Sequence, residues 1–127
     1  NKGTTRLKSV ARIEEVNRMI EVLRSIGVQI RWVNGNDLEI KPPAKLDLEA
    51  MDKAAARKTR RVIMFIGPLM HLSKDFKIPY AGGCELGKRT VLPHLYALEE
   101  MGVEVLTKSG HYNVKVKKHP AKRPVVL

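Results

Sequence analysis

The chain has 127 residues, a length that suits one compact domain, and its apolar fraction of 43% is enough to form a core. One cysteine excludes an internal disulfide and is too few for a cysteine-based zinc site, which favours a reducing compartment. The 24 Lys and Arg residues outnumber the 13 Asp and Glu residues, and the formal charge of +11 favours anionic ligands such as nucleic acid or phosphorylated metabolites.

The first third of the chain is predicted to form a strand, a helix and a hairpin. Residues 4–9 alternate weakly in polarity, as a short strand does. Residues 12–27 have helical periodicity and end at Gly27, and their apolar positions are Ile13, Val16, Ile20 and Leu23. Residues 28–41 alternate around Asn34-Gly35, a dipeptide favoured in tight turns, and are therefore predicted to form a hairpin.

A long helix is predicted over residues 48–72, with a kink or break at Gly67-Pro68. Its apolar face would carry Met51, Ala55, Val62, Phe65, Ile66 and Leu69. Asp47, Glu49 and Asp52 lie near the predicted start, where negative charge favours the helix dipole.

The second half of the chain repeats the order of strand, helix and hairpin. A short strand within the sequence FKIPY leads into a glycine-rich loop at residues 81–89, and a helix at 90–101 follows. Pro93 is acceptable in that helix because it falls in the first turn, where backbone N–H groups have no helical partner. Residues 103–118 are predicted to form a second hairpin that turns at Ser109-Gly110.

An internal repeat relates the two halves. The segments 21–41 and 96–117 share one helix, glycine, strand, turn, strand pattern, and the extra residue lies in the second. We therefore predict repeat-like units at about 4–41 and 90–117, joined by the long helix and by the predicted glycine-rich loop at 81–89, which contains Cys84 and is called the cysteine loop below. Repeated units bury their faces against one another, so we expect an α/β architecture that residues 1–127 form only in part.

The glycine-rich loop contains the only cysteine, Cys84, and two interpretations of it compete. Gly82 and Gly83 leave backbone N–H groups open to an approaching anion. Lys88 and Arg89 precede a predicted helix N-terminus, which favours negative charge. The same surroundings would stabilise a thiolate and make Cys84 reactive. The alternative is an inert, buried cysteine beside a turn.

Three ordered blocks of sequence carry a family resemblance. They are LKSVARIEEVNRMIEVLRSIGVQI, TRRVIMFIGPLM and PYAGGCELGKRTVLPHLYALEEMGVEV. The matching positions in the last two blocks are Arg60, Gly67, Pro68, Leu69, Gly82, Gly83, Cys84, Gly87, Arg89, Val91, His94, Leu98 and Gly102. Over about residues 4–117, the chain resembles the UDP-N-acetylglucosamine enolpyruvyl transferase (1-carboxyvinyltransferase) family.

The resemblance implies a transferase of the bacterial cell wall pathway. Such enzymes move the enolpyruvyl group of phosphoenolpyruvate to the 3-hydroxyl of UDP-N-acetylglucosamine and release phosphate, the committed step of peptidoglycan precursor synthesis. The implied fold has two inside-out α/β barrel domains of three repeats each, with the active site between them. The implied partners are the two substrates and the remainder of the enzyme, without a cofactor. A chain of 127 residues is expected to be inactive alone.

Residue roles follow from the same resemblance. It implies that Cys84 is the general acid that protonates the methylene carbon of phosphoenolpyruvate, and the site that fosfomycin alkylates. It implies that Arg89 binds phosphate groups with assistance from Arg60. The strip that would hold the UDP-sugar is Arg89, Thr90, Val91, Leu92 and Pro93, and the loop backbone is provided by Gly82, Gly83 and Gly87.

The alternatives are a divergent, non-catalytic paralogue and a basic nucleic-acid-binding repeat module. Thr90-Val91-Leu92 replaces the family's Pro-Val-Asp, which removes an aspartate near the nucleotide and favours the paralogue. The charge of +11 favours nucleic acid, but an aromatic fraction of 5% offers few rings for base stacking. The shikimate-pathway enolpyruvyl transferase shares the fold but lacks the Gly-Gly-Cys loop, so it ranks low.

Metal and membrane binding are not predicted. The four histidines are not spaced as metal ligands with a cysteine or carboxylate cluster. No apolar run approaches the roughly 20 residues that span a bilayer, and the N-terminal sequence lacks the apolar stretch of a signal peptide. A cytoplasmic protein is the expectation.

Overall fold

The chain forms two units, Asn1–Thr59 and Arg60–Leu127, each with mixed α/β structure. A computed structural model describes residues 3–80 and 91–117. In both described ranges, helices and strands have the order that their hydrophobic patterns predict, apart from the segment between the two repeats. Among these residues, no helix has the length and apolar character needed to cross a membrane.

The first unit contains a three-stranded antiparallel sheet. Its strands are β1 (Thr5–Leu7), β2 (Gln29–Val33) and β3 (Asp37–Lys41), in the order β1-β3-β2. The alternation that the sequence showed divides the sheet into two faces, so that Ile30 and Leu38 are buried while Gln29 and Arg31 are exposed. The hairpin predicted over residues 28–41 is confirmed.

Helix α1 (Glu14–Ser25) precedes this hairpin and ends where the sequence predicted. Gly27 has a φ of +102°, a conformation that favours glycine and stops the helix. The predicted apolar face is only partly correct, because Ile13 is 51% exposed whereas Val22 is completely buried. Arg24 Nη2 donates to the carbonyl oxygen of Ile30 at 2.7 Å, which ties the end of the helix to β2.

The long helix predicted over residues 48–72 is wrong. Asp47 Oδ1 accepts from the Ala50 N–H at the predicted start, and Asp52 Oδ1 accepts from the Ala55 N–H, which begins a second helix inside the predicted one. Each cap begins a new element and contributes about 1 kcal/mol to it. The segment forms a 3₁₀ turn at Leu48–Ala50, helix α2 at Lys53–Arg57, a 3₁₀ segment at Arg60–Phe65 and helix α3 at Ile66–Leu69.

Gly67-Pro68 is not the point where this segment breaks. Both residues lie inside α3, and Pro68 occupies its first turn, where a missing N–H costs no helical hydrogen bond. The backbone departs from helical geometry at Met51, with φ −55° and ψ 125°. Asp52 therefore accounts for the break at this point, since its side chain satisfies an N–H group at a new helix start.

The second unit contains another three-stranded antiparallel sheet. Its strands are β4 (Asp75–Pro79), β5 (Val103–Lys108) and β6 (His111–Val116), in the order β4-β6-β5. Helix α4 (Leu92–Glu100) contacts β5 and is followed by Gly102, with a φ of +82°. Pro93 lies in the first turn of α4, as predicted.

The two sheets have equivalent strand orders, so the repeat is larger than the sequence indicated. Strand β4 takes the position in its sheet that β1 takes in the other, although the predicted second unit at 90–117 excluded it. The extra residue lies in the first copy, and not in the second as the two sequence segments indicated. Three residues separate the pair Val33–Asp37, but two separate Lys108–His111, so Asn36 is the insertion. Buried Leu38 and Tyr112 consequently occupy equivalent positions.

The turn of the first hairpin is held from outside by Arg12. Its Nε donates to the Gly35 carbonyl oxygen at 2.8 Å, and its guanidinium lies 4.1 Å from the centre of the Trp32 ring. A cation over an exposed aromatic ring contributes roughly 0.5–1 kcal/mol. This contact connects the chain before α1 to a turn in which Asn34 and Gly35 both have positive φ, at 47° and 82°.

Replacing Gly35 with alanine should destabilise the chain by about 1 kcal/mol, because a Cβ disfavours positive φ even where space is open. No neighbouring atom lies within 4 Å of the place that a Cβ would take at Gly35 or at Gly67, but only Gly35 has the strained φ. Gly67→Ala is therefore the matched control. Urea unfolding should show a lower midpoint for Gly35→Ala alone, and equal midpoints in both variants would contradict the explanation.

Candidate functional site

The described site residues all belong to the second unit. They are Arg60, Val91, Leu92 and Pro93. The remaining predicted site residues lie outside the described residues, and they are Gly82, Gly83, Cys84, Gly87, Arg89 and Thr90. The structure thus describes the two elements that flank the cysteine loop and the one that carries Arg60.

Arg60 begins the 3₁₀ segment Arg60–Phe65 and its side chain is exposed. The segment is anchored by Val62 and Ile63, which are 1% and 7% exposed, and it packs on β4. Strand β4 ends at Pro79, five positions before Cys84 in the sequence. The backbone of Arg60 therefore belongs to an anchored segment, while its exposed guanidinium is available to an anionic ligand.

The end of β4 is fixed by backbone and aromatic contacts. Pro79 pairs with His111, and the Tyr80 N–H donates to the carbonyl oxygen of Gly110 at 3.0 Å. The Tyr80 ring stacks on Tyr112, with centroids 4.6 Å apart and planes inclined by 27°. Tyr112 is 2% exposed. The last described residue before the loop is therefore held against the turn of the second hairpin.

The other side of the loop begins helix α4. The carbonyl oxygen of Val91 accepts from the N–H groups of His94 and Leu95, at 3.0 and 3.1 Å, and so forms the first helical turn. Val91 is half-buried, while Leu92 is 66% exposed and Pro93 is exposed as well. The three residues therefore present a mainly apolar surface at the start of the helix, where the resemblance predicted a substrate-binding strip.

Among the described residues of this region, Tyr112 has a pKa that departs from its ordinary value. Burial raises the pKa of the Tyr112 phenol, and the charge of Tyr80 adds to the increase. A neutral phenol in the core stacks on Tyr80 without the cost of desolvating a charge. Residues 3–80 and 91–117 contain no group of three or more His, Cys, Asp or Glu side chains arranged to hold a metal.

Sequence reasoning missed the contact between Tyr80 and Tyr112. The pairing of β4 with β6 creates it, and the residues are 32 positions apart in the sequence. The available signals were a tyrosine immediately before the glycine loop and another two residues after Gly110. Neither signal establishes the strand order, so a contact between the two rings could not be derived.

The sequence comparison defines the class of protein. A model of the EPSP synthase (3-phosphoshikimate 1-carboxyvinyltransferase) family matches residues 1–126, and the chain belongs to this family. The resemblance to enolpyruvyl transferases stated from the motifs is thereby confirmed. The family assignment implies the enolpyruvyl transferase fold, and the mixed α/β units are consistent with it.

The chain is also similar to individual curated proteins. The chain is 29% identical over 113 residues to UDP-N-acetylglucosamine 1-carboxyvinyltransferase from Helicobacter pylori (strain P12), covering 89% of the chain and 26% of the relative. It is 33% identical over 112 residues to UDP-N-acetylglucosamine 1-carboxyvinyltransferase 1 from Carboxydothermus hydrogenoformans (strain ATCC BAA-161 / DSM 6008 / Z-2901), covering 88% and 26%. The chain spans about a quarter of the length of these curated relatives, which are named as transferases.

Alkaline pH should destabilise the second unit through Tyr112. Its raised pKa keeps the folded state neutral, whereas an unfolded tyrosine ionises near pH 10, so stability is complete below that pH and is lost as pH rises through the folded pKa. Urea unfolding between pH 8 and pH 11 (roughly one unit beyond the free phenol value) should show a smaller loss for Tyr112→Phe than for the unmodified chain. Parallel losses in the two proteins would contradict this linkage.

Proposed function

We propose that this chain is part of an enzyme that transfers the enolpyruvyl group of phosphoenolpyruvate to UDP-N-acetylglucosamine, the committed step of peptidoglycan synthesis, in the cytoplasm. The observation that carries the proposal is the similarity, over nearly nine-tenths of the chain, to relatives named UDP-N-acetylglucosamine 1-carboxyvinyltransferase. The ordered blocks around Arg60, Cys84 and Gly102 support it, since they match the motifs of the same family.

Charge supports the proposed substrates. Phosphoenolpyruvate and a UDP-sugar are both polyanions, and the chain has a formal charge of +11. Fixed cations stabilise charge that develops on a leaving phosphate without having to reorganise. In the proposed site, Arg60 and Arg89 supply these cations. Exposed Arg60 lies on a 3₁₀ segment whose buried residues anchor its backbone in the core.

Cys84 acts as the general acid in this proposal. It donates a proton to the methylene carbon of phosphoenolpyruvate while the acceptor hydroxyl adds to the neighbouring carbon and gives its own proton to a base in the rest of the enzyme. Phosphate then leaves together with a proton from the new methyl group, which restores the double bond of the enolpyruvyl product. A thiol suits this step because nearby cations can lower its pKa towards neutrality. The same activation beside an anion site makes Cys84 the proposed target of the epoxide fosfomycin.

The start of α4 forms the acceptor side of the proposed site. Val91, Leu92 and Pro93, together with Thr90 and Arg89, contact the UDP-sugar. Leu92 is exposed and stands where the family has an aspartate, so contacts to the nucleotide at this position are apolar. This difference is the specific observation that favours a divergent paralogue as the second candidate.

The proposed architecture is an inside-out α/β barrel domain, to which this chain contributes two repeats. The equivalent strand orders β1-β3-β2 and β4-β6-β5 support repeated units. Helix α4 has no buried residue in the described structure, and Leu92 and Tyr96 are 66% and 50% exposed. Such a helix requires further apolar partners, which the rest of the enzyme would provide. Residues 1–127 alone are therefore proposed to be inactive.

Phosphate release by the full-length native protein tests the proposed chemistry. Cys84→Ser should lower kcat by at least about a hundredfold because a hydroxyl is a far weaker acid than the thiol. Arg89→Ala should lower kcat/KM by a similar factor, and Arg60→Ala by about tenfold or more, because each removes a cation from a phosphate. Lys58→Ala is the control, since Lys58 is exposed at the end of α2 and has no role in the proposed site.

The same experiment separates the alternatives. Mass spectrometry should find fosfomycin attached to Cys84 in the unmodified protein and no adduct in Cys84→Ser. Full activity in Cys84→Ser and Arg89→Ala would refute the roles assigned to them. A protein that neither releases phosphate nor binds UDP-N-acetylglucosamine would be a retired paralogue. Nucleic-acid binding that weakens steeply with salt and does not depend on Cys84 would support the binding module instead.

A further inference from the structure

The turn between β2 and β3 contains the one Asn-Gly dipeptide of the sequence, Asn34-Gly35. Asn34, Gly35 and Asn36 are all exposed. Beyond its chain neighbours, no atom lies within 4 Å of the place that a Cβ would take at Gly35. Because glycine has no side chain, its backbone nitrogen is unhindered towards the side chain of the residue before it. The dipeptide is therefore a chemically reactive point on the surface of the first unit.

We propose that Asn34 is a site of spontaneous deamidation and isomerisation, and that Arg12 sets the rate by holding the turn closed. The reacting groups are the side-chain amide of Asn34, the backbone nitrogen of Gly35 and solvent water. All the contacts that control the reaction belong to the first unit, so the inference does not depend on the proposed enzyme function.

The reaction has two steps. First, the backbone nitrogen of Gly35 attacks the side-chain carbon Cγ of Asn34 and closes a five-membered succinimide. The Cγ–Nδ2 bond breaks, and Nδ2 leaves as ammonia with the proton of the Gly35 N–H. Water then adds to one of the two ring carbonyl carbons and opens the ring, without an oxidant or a reductant. One opening gives aspartate, and the other gives isoaspartate, in which the backbone passes through the former side chain.

The folded turn opposes the first step. Asn34 has a φ of 47°, in the left-handed region, where ψ is typically about +47°. With such a ψ, the next backbone nitrogen lies roughly opposite the side chain across the Cα–C bond, out of reach of Cγ. The peptide plane between Asn34 and Gly35 must therefore rotate before the ring can close. This rotation breaks the 3.1 Å hydrogen bond from the Asn36 N–H to the Asn34 carbonyl oxygen.

Arg12 restrains this rotation from outside the turn. Its Nε donates to the Gly35 carbonyl oxygen at 2.8 Å, and its Nη2 donates to the same oxygen. The guanidinium also lies 4.1 Å from the centre of the Trp32 ring, on the strand that enters the turn. One planar group thus connects the Gly35 carbonyl to a fixed ring. Opening of the turn displaces that carbonyl and loses both contacts, so Arg12 favours the unreactive conformation.

Asn36 provides an internal comparison in the same turn. It is also exposed, but the next residue, Asp37, begins β3 and carries a side chain. The Asp37 carboxylate accepts from the Ser9 N–H at 3.1 Å and from Arg6 Nη2 at 3.1 Å, which holds this residue in place. The nitrogen that would attack Asn36 is therefore both hindered and fixed. We expect conversion at Asn34 and none at Asn36.

Incubation of the full chain in mildly alkaline buffer tests the site. Peptide mapping by mass spectrometry should find the mass change from an amide to a carboxylate at Asn34 and not at Asn36. A protein isoaspartyl methyltransferase should transfer a labelled methyl group to the same position. No conversion of Asn34, or equal conversion of Asn34 and Asn36, would overturn the assignment of the site.

Arg12→Ala tests the restraint, and Arg31→Ala is the matched control. Arg31 is also an exposed arginine of the first unit, but its partner is Glu39 on β3. Arg12→Ala should raise the rate of conversion at Asn34 about five- to thirtyfold, the range expected for the loss of one cation–π contact and one hydrogen bond. Arg31→Ala should leave the rate unchanged. Equal rates in Arg12→Ala and the unmodified chain, or equal acceleration by both variants, would overturn the role of Arg12.

Two further measurements separate the restraint from a general loss of the fold. Arg12→Lys keeps a cation for Trp32 but lacks the planar pair of donors, so its rate should fall between those of the unmodified chain and Arg12→Ala. A rate equal to that of the unmodified chain would refute the contribution of the hydrogen bonds. In urea that unfolds all the proteins, the turn is absent and Asn34 should convert at one common rate. A difference that persists in urea would show that Arg12 does not act through the closed turn.

Discussion

The pairing of one central strand with two antiparallel neighbours is the constraint on which each unit depends. Strand β3 in the first sheet and β6 in the second form backbone hydrogen bonds along both edges. Each carries a buried side chain at the equivalent position, Leu38 or Tyr112. A central strand has no free edge, so its register is determined from two sides. Helices α1 and α4 contact β2 and β5, the strands that each central strand holds through its hairpin.

In the second unit, the central strand also organises the candidate site. It pairs with β4, on which the segment carrying Arg60 packs, and with β5, which α4 contacts. Its Tyr112 reaches the residue that precedes the cysteine loop. A short strand in the middle of a small sheet therefore connects the segment that carries Arg60, the residue Tyr80 and, through β5, helix α4.

Local patterns predicted the elements, whereas longer-range pairing was beyond them. Alternation and the turn dipeptides at Asn34 and Ser109 located both hairpins, and Gly27 and Gly102 marked the helix ends. The helix over 48–72 failed because periodicity says nothing about which N–H groups the aspartate side chains will cap. The role of β4 in the repeat and the Tyr80–Tyr112 contact were missed because each depends on strand order. The family motifs predicted the site residues, and their roles remain proposals.

The insertion of Asn36 has a consequence for how interchangeable the two halves are. A fixed offset of 75 residues, which aligns Gly35 with Gly110, would place Leu38 on Asn113 and Ile40 on Lys115. The strand pairing instead gives an offset of 74 after the turn, so apolar residues meet Tyr112 and Val114. Because side chains alternate between faces, that single residue preserves the inward-facing set in both copies. The two copies have the same strand order but turns of different length. The second strand of one hairpin could therefore replace that of the other only if its own turn were transferred with it.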